Sequence, residues 1–174
     1  MKLVKKLIIF SVLLAIATSQ SGCVEKVLFP EGHYTVTVVT PDKLRATITE
    51  EEGEDGEKVK KAKLPGTVVS LNSDYNIPAD LVSFSISYTT RLGESIPSVE
   101  VPETPYSIKV PAGASVEIPM NPYTSRLYDL LEFTRSDVSP VNAKMIFTIK
   151  DVNGNKVKVD ANCLCYATWD EIAE

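Results

Sequence analysis

The sequence predicts an all-β domain, an antiparallel β-sandwich of about eight strands with at most one short helix. Apolar and polar residues alternate with period two in many short segments, which is typical of strands that bury one face. Turn residues separate these segments at short intervals. Prolines recur from residue 97 to residue 122, and they disfavour helix there because proline lacks the backbone N–H. With 174 residues, 44% of them hydrophobic, the chain is long enough for one such domain.

The predicted strands begin at Tyr34. In Tyr34–Val39 and Lys43–Thr49 apolar residues recur at every second position, and Pro41 marks the turn between the two segments. Val82–Thr89 shows the clearest alternation, since a hydroxyl follows each large apolar residue. Asn153-Gly154 predicts a hairpin turn because both residues tolerate positive φ. The other predicted strands are Thr67–Leu71, Tyr106–Val110, Ser115–Pro119, Lys144–Lys150 and Lys156–Tyr166.

One segment has helical spacing. Leu127, Leu130 and Leu131 repeat at i, i+3 and i+4 within Thr124–Phe133, behind a Ser or Thr that can cap the helix. The sequence predicts a short helix here, with a ninth strand as the alternative.

The first 22 residues have the layout of a secretory signal. Lys2, Lys5 and Lys6 form a basic start, an apolar run from Leu7 to Ala17 follows, and small and polar residues close the segment. The apolar run is too short for a membrane-spanning helix, which needs about 20 residues. We therefore expect residues 1–22 to be a cleaved signal peptide, and a retained anchor is the weaker alternative.

The end of this segment suggests a lipid anchor. Ser21-Gly22-Cys23 resembles the end of a bacterial lipoprotein signal, and the resemblance implies that Cys23 carries the lipid. Residues 23–32 would then be a tether to the membrane. The alternative is ordinary cleavage after the small-x-small sequence at residues 15–17, which would leave a secreted protein with a plain thiol. In each case the body lies outside the cytoplasm.

The charge of the body argues against nucleic acid as a partner. The whole chain has 18 Lys and Arg against 23 Asp and Glu, a net charge of −5. Removing the three lysines of the leader leaves 15 against 23, a net charge of −8. An acidic body repels a phosphate backbone. We expect this body to comprise a domain at residues 33–168 and a short C-terminal tail at residues 169–174.

The C-terminal half carries a resemblance to a known fold. The strand-turn-strand run Met145–Val159, ahead of a final strand, resembles the last hairpin of immunoglobulin-like or fibronectin-type-III-like domains. Small envelope lipoproteins of prokaryotes often carry such domains. The similarity covers mainly residues 82–166, and the Cys…Trp…Cys spacing of antibody domains is absent because Trp169 follows both body cysteines. The resemblance implies an immunoglobulin-like sandwich with a binding or spacer role and carries no catalytic residue.

Two cysteines lie close together near the C-terminus. Strand alternation places Cys163 and Cys165 on the same, core-facing side. Neighbours two apart on a strand have Cα atoms roughly 6.6 Å apart with parallel Cβ vectors, which a disulfide does not fit without a bend. Reduced core thiols are one interpretation, and a strained redox pair or a Cu(I) site is the other. A metal site would need a further ligand, and Met120, Met145 and His33 are remote in sequence.

Two charged segments resemble cation sites without matching them. Residues 50–57 are dense in carboxylates and precede four lysines, but they lack the framework that converges oxygens on calcium, so we expect a solvated, mobile loop. Asp151, Asn153 and Asn155 imitate the start of an EF-hand loop. Lys156 stands where that loop needs Gly and Asn162 where it needs Glu, so we expect a hairpin turn.

Catalytic motifs are absent from the sequence. His33 is the only histidine, and no nucleophile elbow, zinc-protease motif or phosphate-cradling loop occurs. Aromatic residues are the better functional candidates, because they anchor protein interfaces. Among them Tyr106 and Tyr123 lie beside prolines and are the candidate binding surface, whereas we expect Tyr88 in the core.

Taken together, these features predict a non-enzymatic module outside the cytoplasm, anchored to the membrane by lipid at Cys23 and requiring no cofactor. Its partner would be another envelope protein, contacted through the loops at Glu50–Lys63 and Arg91–Pro105. The alternative function is a thiol-redox or Cu(I)-binding protein centred on Cys163 and Cys165.

Overall fold

In a computed structural model of the chain, the structure describes residues 32–52, 57–73, 77–133 and 138–170. All of these belong to one compact unit. The predicted signal segment, Cys23 and the proposed tether up to residue 31 lie outside the described residues. Within the described ranges, no helix combines the length and apolar character needed to cross a membrane.

The described residues confirm an all-β protein with one α-helix. Short strands dominate because the alternating segments bury one face each. The ten strands are β1 Tyr34–Thr40, β2 Lys43–Arg45, β3 Thr47–Glu52, β4 Lys58–Lys63, β5 Thr67–Ser73, β6 Ala79–Thr89, β7 Val101–Val110, β8 Ser115–Met120, β9 Val141–Asp151 and β10 Lys156–Tyr166. A 3-10 turn spans Pro97–Val99, and the helix α1 spans Ser125–Phe133 as its leucine spacing predicts.

These strands form three sheets. The largest has the order β2-β10-β9-β6-β7, a second has the order β1-β5-β8, and β3 pairs with β4 alone. Side chains of both larger sheets and of α1 join one hydrophobic core. Its largest fully buried members include Leu71, Leu81, Ile118, Leu127, Met145 and Phe147.

The arrangement differs from the expected antiparallel sandwich of about eight strands in the direction of one strand pair and in the number of strands. β2 pairs with the end of β10 in parallel, and the described residues hold ten strands. The parallel pair forms because the chain leaves β1 through Pro41-Asp42 and reaches the free edge of β10. There the N–H of Leu164 donates to the carbonyl of Asp42 at 2.8 Å.

The strand expected at Lys43–Thr49 breaks at Ala46. Leu44 and Ala46 are buried, and the chain then leaves the body to form β3, whose side chains are all exposed. The hairpin of β3 and β4 is called the charged arm below. The mobile loop expected at residues 50–57 is therefore wrong at its start, because residues 50–52 belong to β3 and pair with lysines of β4.

A bulge near the start of β6 changes which residues face the core. The register with β9 shifts between Leu81 and Ser83. Leu81, rather than the expected Val82, is therefore fully buried, while Ile86 and Tyr88 face the core as predicted. Alternation alone cannot reveal such a bulge, since the extra residue leaves the composition of the strand unchanged.

Candidate functional site

An apolar groove lies where the two larger sheets end side by side. β7 is the last strand of one sheet and β8 the last strand of the other. The groove has a volume of about 420 Å³. Its lining residues come from β6, β7, β8 and the segment before α1, and they are Phe84, Ile86, Val101, Tyr106, Pro119, Met120, Asn121 and Thr124.

The path of the chain explains why this side stays open. β7 turns into β8 at Pro111, with Gly113 at a φ of 62°, so the two strands belong to different sheets. β7 also begins at Val101, earlier than the Tyr106 start predicted from alternation. Pro102 and Pro105 have no N–H to offer a further strand. A further strand would therefore pair only weakly with the outer edge of β7, and the groove beside β7 is left uncovered.

Tyr106 lines this groove, and its side chain is partly exposed. Its ring meets Phe84 edge-to-face, with centroids 5.5 Å apart and planes at 88°. That arrangement favours the interaction of the ring quadrupoles and holds both rings in place. Both residues pack against the core and remain partly exposed. The structure thus brings one predicted surface tyrosine to a concave apolar site, and binding there stays a prediction.

Tyr123 does not lie at the surface, contrary to expectation. Only 1% of it is exposed, and its hydroxyl donates to the carbonyl of Tyr166 at 2.6 Å. Burial raises the pKa of Tyr123. Proline neighbours indicated a loop correctly, but the Tyr123 side chain turns inward to the end of β10. Tyr123 is therefore a core residue, as Tyr88 is, whose hydroxyl donates to the Pro122 carbonyl at 2.8 Å.

The two cysteines share one face of β10, as alternation predicts. Cys163 and Cys165 lie opposite Ala143 and Val141 of β9, both are free thiols, and both are buried. A hydrogen bond with Cys163, and then burial, raise the pKa of the Cys165 thiol. In the described part of the chain no group of three His, Cys, Asp or Glu side chains is arranged to hold a metal ion. The pair is shielded from reagents by its burial.

Sequence reasoning missed most of the groove. Phe84, Val101, Met120 and Asn121 lie on separate elements, and nothing in their spacing indicates that they meet. It also missed a polar contact on the outer face of the larger sheet, where Ser83 Oγ donates to Glu103 Oε1 at 2.6 Å. That hydrogen bond, with the charge of Lys158, lowers the pKa of Glu103.

Comparisons with known proteins provide no family. No family model matches the chain, and no curated protein matches it. The chain is similar to a solved structural genomics target designated SoR45, with 8% identity, a TM-score of 0.44, and 83% of this chain and 91% of that chain covered. It is also similar to a Bordetella pertussis protein given the name ApaA, with 14% identity, a TM-score of 0.42, and 80% of this chain and 97% of that chain covered. These likenesses are too distant to carry an argument.

Proposed function

We propose that this protein is a non-enzymatic binding module at the cell envelope. In this proposal residues 1–22 are removed, Cys23 carries a lipid, and an immunoglobulin-like β-sandwich at residues 33–168 presents the binding surface outside the cytoplasm. The observation that carries the binding role is the open apolar groove containing Phe84 and Tyr106. A common core shared by the two larger sheets supports the sandwich.

The chemistry of the groove suits an apolar side chain of a protein partner. Its eight lining residues contain apolar and aromatic groups, one amide at Asn121 and two hydroxyls at Tyr106 and Thr124, and no carboxylate, amine or imidazole. Such a surface desolvates at little cost and fixes orientation through a few polar groups. Tyr106 and Phe84 are the rigid aromatic residues that typically anchor an interface. We therefore assign the groove to an apolar residue in an extended segment of an envelope protein.

Photo-crosslinking in intact cells tests this assignment. A photoreactive amino acid replaces Val101 in the groove, or Ser107 in the same strand on the exposed side. We expect one adduct with an envelope protein at position 101, no adduct at position 107, and loss of the adduct when Tyr106→Ala is added. Equal adducts at both positions, or none at position 101 in a folded protein, would contradict the proposal.

The second candidate function is thiol-redox or Cu(I) binding through Cys163 and Cys165. The specific observation in its favour is that both thiols are free and share one strand face. Their burial opposes it, because a redox or metal-exchange site needs access. Thiol titration of the native protein with an aromatic disulfide reagent separates the two functions. Fast reaction of both thiols and retention of Cu(I) against a chelator would favour the second function; reaction only after unfolding would exclude it.

A further inference from the structure

One end of the domain contains the first described residue of the chain. The backbone N–H of Gly32 donates a hydrogen bond to the carboxylate of Asp151, at the end of β9. The first described residue therefore lies beside the hairpin that joins β9 to β10. Gly32 follows Cys23 by nine positions, and an extended chain of that length can span roughly 30 Å. A lipid on Cys23 would thus hold this end of the domain within about one bilayer thickness of the membrane.

A row of charges crosses the larger sheet at the same end. The register places Lys109 opposite Asp80, Asp80 opposite Lys150, and Lys150 opposite Lys156. These residues share the outer face on four neighbouring strands. None of the three lysines forms an ion pair with another described residue. Like charges directly opposite each other destabilise a strand pair, so Lys150 and Lys156 bear a cost that an external anion would relieve.

An exposed apolar residue lies next to this row. Val152, at the tip of the β9–β10 hairpin, is 69% exposed. Beside it is a shallow apolar cavity of about 370 Å³ that includes Pro78, Val110 and Pro111. The set of Asp80, Lys109, Lys150, Val152 and Lys156 is called the basic end below. It combines positive charge with an apolar tip, which is the composition that attracts a protein to an anionic lipid surface.

The charges elsewhere favour the same orientation. β2 joins β10 at Leu164–Tyr166, at the opposite end of that strand from Lys156, and the charged arm follows β2. The charged arm thus lies at the far end of the domain, where Lys58 and Lys61 are paired with its own glutamates. With a net charge of −8 for the body as a whole, an anionic membrane repels the body overall and attracts the basic end.

We propose that the basic end is a membrane-contact surface that lies on an anionic phospholipid bilayer, with its lysines at the lipid phosphates and Val152 at headgroup level. This inference rests on the proposed lipid anchor at Cys23, because the anchor brings this end to the bilayer. The domain would then stand upright, with the charged arm directed away from the membrane. The groove between β7 and β8 would lie on the side of the domain, open to partners in the envelope.

Fluorescence of the acylated full-length protein in vesicles tests the orientation. A polarity-sensitive dye is attached at Val152→Cys or at the matched control Leu92→Cys, which is 79% exposed at the other end of β6. The dye spares Cys163 and Cys165, which are buried. In vesicles of phosphatidylcholine with phosphatidylglycerol, we expect a blue shift and quenching by a lipid-borne quencher at position 152 only. Both signals should weaken in phosphatidylcholine alone.

Removal of charge provides the second measurement. Lys150→Gln with Lys156→Gln creates no like-charge pair with Asp80, and should lower the docked fraction relative to the undocked one by about 25-fold, since each lysine contributes about fivefold. Arg91→Gln with Arg126→Gln, at exposed positions elsewhere, should leave it unchanged. A protein that enters vesicles but reports water at position 152 overturns the orientation and leaves the anchor intact. A protein that carries no lipid and stays out of the vesicles overturns the anchor and this inference with it.

Discussion

The charged arm and the basic end use lysine in opposite ways. In the arm, Lys61 Nζ lies 2.6 Å from Glu51 Oε2, and Lys58 Nζ lies 3.6 Å from Glu50 Oε2. At the basic end, the lysines face one another or Asp80, Lys156 also lies within range of the charge of Glu103, and none of them forms an ion pair with another described residue. In the charged arm, the attraction between lysines and glutamates holds the two strands together. The basic end leaves its lysines available for an external anion.

The two regions also differ in the contacts that stabilise them. Nothing in β3 is buried, so the arm depends on its own cross-strand contacts. The basic end is braced from within by Asp151, whose carboxylate accepts hydrogen bonds from the backbone N–H and the side-chain amide of Asn155, each at 2.9 Å. A buried acid can thus hold a hairpin in place while the lysines around it form no ion pair within the part of the chain that the structure describes.

The largest expected effect comes from removing that brace. Asp151→Ala leaves the Asn155 and Gly32 donors without their charged acceptor, and should lower the free energy of unfolding by about 2–4 kcal/mol. Asp160→Ala is the control, because Asp160 forms an exposed ion pair with Lys144 at 3.4 Å and should cost less than about 1 kcal/mol. Urea denaturation measures both. Equal losses in the free energy of unfolding for the two variants would mean that Asp151 does not hold the hairpin in place.

Acid should weaken the basic end once the pH falls below the usual pKa of an aspartate. Burial raises the pKa of Asp151, but the hydrogen bonds from Asn155, Gly32 and Asn153 together outweigh it and keep the pKa below its usual value. Its contribution is thus complete above about pH 4 and is lost as pH falls through the folded-state pKa, by at most about 1.4 kcal/mol per pH unit. Stability measured against pH should show this slope in the wild type. Asp151→Asn should flatten it, and an unchanged slope would contradict the assignment.

Reversing one charge should open the arm alone. Glu51→Lys places like charges next to each other and costs about 0.5–1 kcal/mol locally, which is enough for a two-stranded hairpin of marginal stability. We expect faster protease cleavage within residues 47–63 and an unchanged thermal midpoint for the body. A protease that does not cleave after lysine removes the effect of the added cleavage site. A lower midpoint for the body would show that the arm supports the core.

The smallest effect has the opposite sign. Lys156→Glu converts the unfavourable pair with Lys150 into a favourable one, and unlike Lys150→Glu it places no carboxylate opposite Asp80. It should raise the free energy of unfolding by about 0.2–1 kcal/mol. Lys144→Glu, which breaks the pair with Asp160, should lower it by a similar amount. Thermal denaturation at low salt resolves both. Destabilisation by Lys156→Glu would mean that the lysine stabilises the sheet itself and is not available for an external anion.

Much of the secondary structure could be predicted from local pattern, because side chains two apart on a strand share a face whatever the strand pairs with. Cys163 and Cys165 therefore lie on one buried face as expected, and Leu127 and Leu131 bury one side of α1. The groove could not be predicted in this way. Phe84 and Met120 come from different sheets, and their meeting depends on how those sheets pack.

Local pattern also failed where burial depends on the fold as a whole. Tyr123 lies in a loop beside Pro122, which indicated exposure, yet it is buried and its hydroxyl reaches the carbonyl of Tyr166 at the end of β10. The lysines of β4 indicated a solvated loop, yet the facing glutamates of β3 make a strand there. In both cases the deciding neighbour is distant in sequence.

By itself, the sequence determined most of the strand segments, the helix, the hairpin at Gly154 and the core face of β10, because these depend on backbone preferences and on alternation over a few residues. Tertiary structure decided the parallel pairing of β2, the bulge in β6, the burial of Tyr123 and the position of Tyr106 in an open groove. Those outcomes depend on which surfaces of remote segments pack together. The free energy of packing depends on both of the segments that meet, so the sequence of one segment alone does not reveal it.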